Sequence, residues 1–209
     1  MRTRLTAALA GVVTAATVGG FVLAPTDATA RPARTVQLET GMYDVDSVHS
    51  TIIFAIGHAK AANFYGRFND PTGSITFDPN DVESASFEIS VKAENIDTAN
   101  KDRDDHLRGP DFFKVRQFPT IDFKSTSVKP AGDDLFTVEG ELTMHGVTKA
   151  VTVEMELIGQ SETRMGKKIG FETTFKIMRT DFGMDTYAKS GMLGDEVKLI
   201  VAIEADAKG

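Results

Sequence analysis

The sequence predicts an all-β protein, an eight-stranded antiparallel barrel with a short helical lid, on three observations. Apolar residues recur at every second position over most of the chain from Gly41 onward, the period of a half-buried strand. The intervening positions are largely charged or polar, as in an antiparallel sheet that is wet on one side only. Successive segments are joined by short turns rich in Gly, Asp, Asn and Lys, with helical character in one place, which suits an up-and-down closed barrel better than a doubly wound sheet.

The chain begins with a segment that does not belong to the fold. Residues 1–30 carry Arg2 and Arg4, an Ala/Val/Leu-rich run to Leu23 and the small-x-small site Ala28-Thr29-Ala30, the pattern of an export signal removed on secretion. The apolar run also has about the length of a membrane anchor, but its small residues and cleavage pattern favour the signal. Arg2 and Arg4 are not adjacent, so the general secretory route is expected rather than the twin-arginine one. The mature product is therefore expected to be secreted or periplasmic, without a membrane span. Residues 31–40, RPARTVQLET, read as a polar leader, and the folded domain is assigned to 41–209.

The strands follow. STIIFAIGH sets Ile52, Phe54, Ile56 and His58 on one face. GSITFDP alternates Ile75 with Phe77 and stops at the turn cluster Asp78-Pro79-Asn80-Asp81. SFEISVKA opposes Phe87, Ile89 and Val91 to Glu88, Ser90 and Lys92. In LFTVEGELTMHG, Phe136, Val138, Leu142 and Met144 face one way, and Glu139, Glu141, Thr143 and His145 the other. AVTVEMELIG sets Val151, Val153, Met155 and Leu157 against Thr152, Glu154 and Glu156. KIGFETTFKI then gives Ile169, Phe171, Phe175 and Ile177, and EVKLIVAIEA gives Val197, Leu199, Val201 and Ile203.

The interruption is RDDHLRGPDFFKVRQFPTIDFKS, Arg103 to Ser125. Gly109-Pro110 ends a first helical turn. Pro110 suits the first position of a second short helix, with Asp111 near its positive end and Phe112 and Phe113 within it. Ile121 and Phe123 begin the next strand. These Phe side chains would close one end of the barrel, with Arg103 and the neighbouring Asp residues pairing outside. His106 beside carboxylates also raises acid–base or metal chemistry. Helical metal sites place ligands at i and i+3 or i+4, whereas Asp102, Asp104 and Asp105 diverge around the turn and no second His follows at suitable spacing. GxSxG, HExxH, Walker and dinucleotide motifs are absent. No catalytic residue and no metal are expected; the alternative is an enzyme or stress factor using His106 with Asp104, or His58, as acid and base.

Composition narrows the partners. The absence of cysteine excludes thiolate catalysis, Cys-ligated zinc, disulfides and a lipoprotein anchor, so an exported chain of this size relies on its core. The net charge is −7, and losing Arg2, Arg4 and Asp27 with the signal makes it one unit more negative. Nucleic acid and anionic membrane surfaces demand a basic face, so neither is expected as a partner. The inward-facing set is Ile, Val, Leu, Met and Phe, which suits a filled core and an apolar tunnel equally.

A resemblance separates the two. Arg-Asp-x-His-Leu, the paired Phe and Pro-x-Ile-x-Phe-x-Ser in the interrupting stretch are similar to the signature of the YceI-like family. YDVDSVHSTIIFAIGH, YGRFNDPTGSITFDP, GELTMHGVTKAVTVEMEL, MRTDFGMD and LGDEVKLIVAIEA extend the resemblance, in order, over nearly the whole mature chain. It implies a lipocalin-like barrel with a helical element over it. Such a barrel binds long amphiphiles such as polyisoprenoids, isoprenoid quinones or fatty acid derivatives in its lumen, for transport, storage or sequestration. By that similarity Phe54, Ile56, Phe68, Phe87, Ile89, Phe112, Phe113, Phe123 and Met144 are the lumen and lid residues. Arg103, Asp104, His106 and Leu107 match the family motif, in an architectural role. His58 and Arg67 are the candidate head-group contacts near the mouth. AKAANFYGRF and the long polar link GMDTYAKSGMLGDE depart from the family pattern and are expected to shape the mouth. No cofactor is implied other than a bound lipid of this kind, and a homodimer is compatible with the sequence.

Overall fold

The computed structural model of the chain describes residues 40–164 and 166–208. The expected export signal over 1–30, and the leader apart from Thr40, lie outside the described residues. In chain order the strands are β1 (Gly41–Val45), β2 (Thr51–His58), β3 (Ala62–Phe68), β4 (Thr72–Phe77), β5 (Ser86–Lys92), β6 (Ile96–Asp97), β7 (Thr120–Gly132), β8 (Leu135–Met144), β9 (Val147–Thr163), β10 (Gly166–Met178) and β11 (Leu193–Ala207). One α-helix, α1 (Lys101–Arg108), and 3-10 turns at Val82–Ser84, Ala93–Asn95 and Arg179–Phe182 complete the described elements. No helix among the described residues is long and apolar enough to cross a membrane.

Eight strands close the expected barrel. They run β1, β4, β5, β7, β8, β9, β10, β11 and back to β1, with every pairing antiparallel. The three further strands belong to one flared end. β11 pairs with β1 through Ala205 to Ala207, and with β2 through Leu193 to Ala202, so β1 and β2 share the same edge of β11 end to end. The β2–β3 hairpin and the short β6 then extend the wall on that side.

The step from β1 to β2 is held by hydrogen bonds and charge. Ser50 donates through Oγ to the Glu204 carbonyl at 3.1 Å and accepts from the Glu204 amide at 3.0 Å. Lys168 Nζ lies 3.1 Å from Asp46, 2.9 Å from Glu204 and 2.7 Å from Asp206. These partners hold its pKa above the ordinary lysine range, Asp206 contributing most. His49 donates to Asp46 at 2.7 Å, and that bond together with Lys168 pulls the Asp46 carboxyl well below its ordinary value.

The closed end is packed solid. Phe77 meets Phe136 and Phe171 edge-on, with centroids 5.8 and 5.5 Å apart, and Phe87 meets Phe171 at 5.1 Å, the tilted arrangement that aromatic quadrupoles favour. Tyr43, Ile75, Val138, Ile169 and Ala205 fill the space around them. Their period-two spacing puts all of them on the inner face.

At the flared end, α1 starts where Asn100 caps it, its side chain accepting from the Arg103 amide at 3.0 Å. Asp102 and Asp104 lie in the first turn, and His106 and Arg108 in the last, complementing the helix dipole. The helix ends at Gly109. The second helix expected from Pro110 does not form: the chain continues as turns, because Lys114 adopts φ 48° and its amide bonds back to the Gly109 carbonyl. His145 also departs from expectation. Instead of continuing the charged face of β8, it begins the two-residue turn with Gly146, at φ 53° and 76°, the primed geometry that joins tight hairpins. Its ring is buried, stacks edge-on against Phe118 at 4.8 Å, and donates from Nδ1 to the Phe182 carbonyl at 2.8 Å.

Candidate functional site

The upper barrel is hollow. A cavity of about 510 Å³ lies between the aromatic floor and the flared end, with Phe87 and Phe171 at its base. Its wall is built from the inward positions of the strands, mostly Ile, Val, Leu, Met and Phe. Two of its rings rest where glycine leaves room for them. A Cβ on Gly66 would lie 2.3 Å from the Phe54 ring, and one on Gly140 would lie 2.6 Å from Phe123.

The nine residues expected in the lumen and lid, Phe54, Ile56, Phe68, Phe87, Ile89, Phe112, Phe113, Phe123 and Met144, all lie on this wall. Phe54, Phe68 and Phe113 form a run across the flared end, with centroids 5.8 and 5.5 Å apart. Phe113 joins two clusters, one around Leu142, Ile177 and Phe182 and the other around Phe68, Val91 and Ile96.

Of the two expected head-group residues, the structure brings only His58 to the cavity, at the end of β2. Arg67 is a correction. It precedes Phe68 in β3, so Phe68 points inward and Arg67 outward, where its guanidinium donates to Asp97 at 3.0 and 3.2 Å.

The Arg-Asp-x-His-Leu positions divide their work. Arg103, His106 and Leu107 line the cavity, whereas Asp104 does not. Asp104 is buried and accepts from both the amide, at 2.9 Å, and the hydroxyl of Thr98. Arg103 binds the other side of that residue, donating to its hydroxyl at 2.8 Å and its carbonyl at 2.7 Å, and lies 4.3 Å over the Phe64 ring. Thr98 is thus clamped between two side chains of α1, which fixes the helix to the end of β6. His106 faces Asp111 at 3.0 Å and Phe112 at 5.1 Å. The structure therefore does not join His106 to Asp104 as the acid–base pair of the alternative reading: each has a different partner.

Several wall residues were not singled out from the sequence. The foremost is Arg179, only 4% exposed. Its guanidinium donates to the carbonyls of Met184 at 2.6 Å and Gly194 at 2.7 Å, gathering the two ends of the link before β11. Burial pushes its pKa below the ordinary arginine value. The link it holds forms one lip of the mouth, where Tyr187 and Met192 are both about half exposed and line the cavity. Thr186 ties this lip to the α1 side by donating to the Asp111 carbonyl at 2.6 Å. The cluster Asp46, His49 and Glu204 also has metal-ligand types within 4.8 Å of one another. There, however, the Lys168 ammonium already bonds two of the three.

Comparison with known proteins gives a consistent picture. The sequence profile of the YceI-like domain matches residues 43–205. The chain is 39% identical over 162 residues to protein YceI of Escherichia coli, covering 77% of this chain and 83% of that one. It is similar to a crystal structure of the Campylobacter jejuni YCEI protein, at 32% identity and a TM-score of 0.66 over 74% of this chain and 91% of that one. The fold also matches a polyisoprenoid binding domain from Saccharophagus degradans, with a TM-score of 0.65 at 13% identity, over 81% and 100% of the two chains. On this profile match and identity, the chain belongs to the YceI-like family.

Proposed function

We propose that this chain is an exported binding protein that holds the apolar tail of a long-chain amphiphile in the barrel cavity and performs no chemistry on it. The ligand class is a polyisoprenoid, an isoprenoid quinone or a fatty acid derivative, carried, stored or sequestered in the secreted or periplasmic space. The cavity carries this reading: about 510 Å³ of space with an almost wholly apolar wall, and with most of its polar side chains, His58, Arg103, His106, Arg179 and Tyr187, toward the flared end. Water in such a space finds few hydrogen-bond partners, while each buried methylene contributes about 0.8 kcal/mol to binding. The Saccharophagus relative, named as polyisoprenoid binding, supports the same ligand class.

Native mass spectrometry of the purified protein, followed by organic extraction, tests the reading. The expected result is a mass increment that disappears on extraction and a recovered lipid with a long apolar chain. Protein that carries no lipid and takes up neither a supplied isoprenoid quinone nor a fatty acid overturns it.

A further inference from the structure

The rim of the cavity presents side chains suited to contact with more than the ligand. Tyr187 and Met192 line the cavity and are half exposed, so each faces the lumen on one side and the surroundings on the other. The other large apolar residues exposed among the described ones, Met42, Val48, Tyr65 and Met178, do not line it. Tyr187 and Met192 stand on the link between β10 and β11, a run of tight turns. There the Gly191 amide donates to the Ala188 carbonyl at 3.1 Å and the Ser190 hydroxyl to the Tyr187 carbonyl at 2.9 Å. The β2–β3 turn completes this lip. Its Ala59 amide donates to the Met192 carbonyl at 2.8 Å, and the Lys60 side chain lies against Gly191, where an added Cβ would come within 2.6 Å of Lys60 Cε. Tyr187 and Lys60 take left-handed dihedrals, φ 61° and 55°. Glycine adopts these at no steric cost, so the backbone alone gives no reason for a phenol ring and an ammonium at these two positions.

Charge at this lip differs from charge on the strands. Lys124, Lys129 and Lys176 lie on the barrel wall beside Glu88, Glu139 and Glu196, at 2.6, 3.6 and 2.8 Å. Lys60 and Lys189 are exposed at the lip and have no ion-pair partner among the described residues. Asp185, the carboxylate of the link, is offset by the charge of the buried Arg179 on which it acts. The lip is thus locally cationic on a chain whose net charge is −7. An anionic surface repels such a chain broadly and favours its approach by a cationic end. A Tyr ring suits the head-group level of a bilayer and an apolar Met the acyl boundary, while each Lys near an anionic surface adds to the attraction. These features meet at the opening of the space that holds the apolar chain. A chain that leaves a bilayer through water exposes its methylenes on the way, whereas one that passes directly from bilayer to cavity exposes few.

We propose that the lip formed by the β2–β3 turn and the link before β11 docks on an anionic lipid bilayer, with Tyr187 and Met192 at the acyl boundary and Lys60 and Lys189 against lipid phosphates. The apolar chain then passes between bilayer and cavity at the point of contact. This rests on the reading of the cavity as a holder of apolar chains, and it concerns where the ligand is exchanged rather than what it is. The negative net charge keeps the rest of the molecule off the surface and so orients the mouth toward it.

Vesicles of phosphatidylcholine with phosphatidylglycerol, and vesicles of phosphatidylcholine alone, test the docking, with cis-parinarate as the transferred chain. The proteins are purified in their exported form, without the apolar run ending at Leu23. The unaltered chain is expected to sediment with the anionic vesicles and not with the neutral ones, and to take up parinarate from the anionic vesicles at a rate that rises with protein concentration, as transfer by contact requires. The double variant Lys60→Glu, Lys189→Glu leaves the apolar wall unchanged. Its parinarate affinity without vesicles is expected to stay within about twofold, and its vesicle binding and transfer rate to fall at least about tenfold. Met192→Asp is expected to lower vesicle binding to a similar extent. A double variant that sediments and takes up parinarate as the unaltered chain does overturns the docking, as does a transfer rate independent of protein concentration; either result leaves the cavity reading intact. An unaltered chain that binds no parinarate without vesicles overturns both. Sedimentation velocity without vesicles checks for a second copy at the lip: a dimer that the double substitution converts to monomer assigns the lip to self-association and overturns the proposal.

Discussion

Phe113→Asp is the sharpest perturbation of the cavity. Phe113 lines it, packs edge-on against Phe68 at 5.5 Å, and joins the two clusters of the flared end. Its amide donates to the Leu107 carbonyl at 2.9 Å, a bond independent of the side chain, so the turn after α1 keeps its path in the variant. The substitution removes the ring and places a carboxylate near Phe68, Leu107 and Ile121. A bound chain then loses the contacts of two to three methylenes, about 2 kcal/mol, which is roughly a thirtyfold rise in Kd. Phe113→Leu keeps an apolar wall and is expected to stay within about threefold. Loss of the ring also destabilises the fold by about 2–3 kcal/mol, so urea unfolding and far-UV circular dichroism accompany the titration. Fluorescence titration with cis-parinarate reads the affinity. A folded Phe113→Asp protein that binds parinarate as tightly as the unaltered chain refutes the assignment of this ring to the binding wall.

Two further predictions concern what holds the barrel and its lid. Asp104→Ala removes both acceptor bonds to Thr98, leaves that buried hydroxyl with Arg103 alone, and is expected to cost about 3 kcal/mol in urea unfolding; a cost below about 1 kcal/mol contradicts an architectural role for this carboxylate. The Asp46 and His49 pair gives the pH dependence. The folded Asp46 pKa lies below its ordinary value of about 3.9, so its contribution is present above that pH and is lost as pH falls through the folded value. The Asp46 hydrogen bond, foremost, raises His49 above its ordinary value of about 6.5, so its contribution is present below that pH and is lost as pH rises through the folded value. Tm of the unaltered chain relative to Asp46→Asn is therefore expected to be greatest between about pH 4 and 6.5; a Tm difference constant from pH 3 to 8 would sink the linkage, taken across about the range of these two groups.

The strands were legible because burial on one face imposes period two, and β8 and β9 carry it with hardly a lapse. What period two does not contain is where a strand changes partners. β1 and β2 read as separate segments, but nothing in their side chains says that both lie along β11, because that depends on the length of β11 and on the Ser50 bonds to Glu204. The end of the β9–β10 ladder, at the pair Met155 and Thr173, is hidden for the same reason. Val151 and Val153 of β9 have the same inward parity and chemistry, yet each lies in the stretch that has lost its β10 partner, while Met155 has kept it.

Arg67 and Arg179 show where reading a site from sequence fails and how it could have succeeded. Arg67 is a cation near the mouth in chain order, but Phe68 beside it is apolar and inward, and alternation alone therefore sends Arg67 out to Asp97. Arg179 stands within the polar stretch MRTDFGMD. It nevertheless continues the inward series Phe171, Thr173, Phe175 and Ile177 by one more step, and a charged group at an inward position must find partners or remain unfolded. Its partners are main-chain carbonyls of the link that the sequence marks only as long and polar. No side-chain pattern announces a carbonyl. Parity is therefore the signal that separates the two arginines: read strictly, it excludes Arg67 from the cavity and places Arg179 on its wall, where it anchors the lip that frames the mouth.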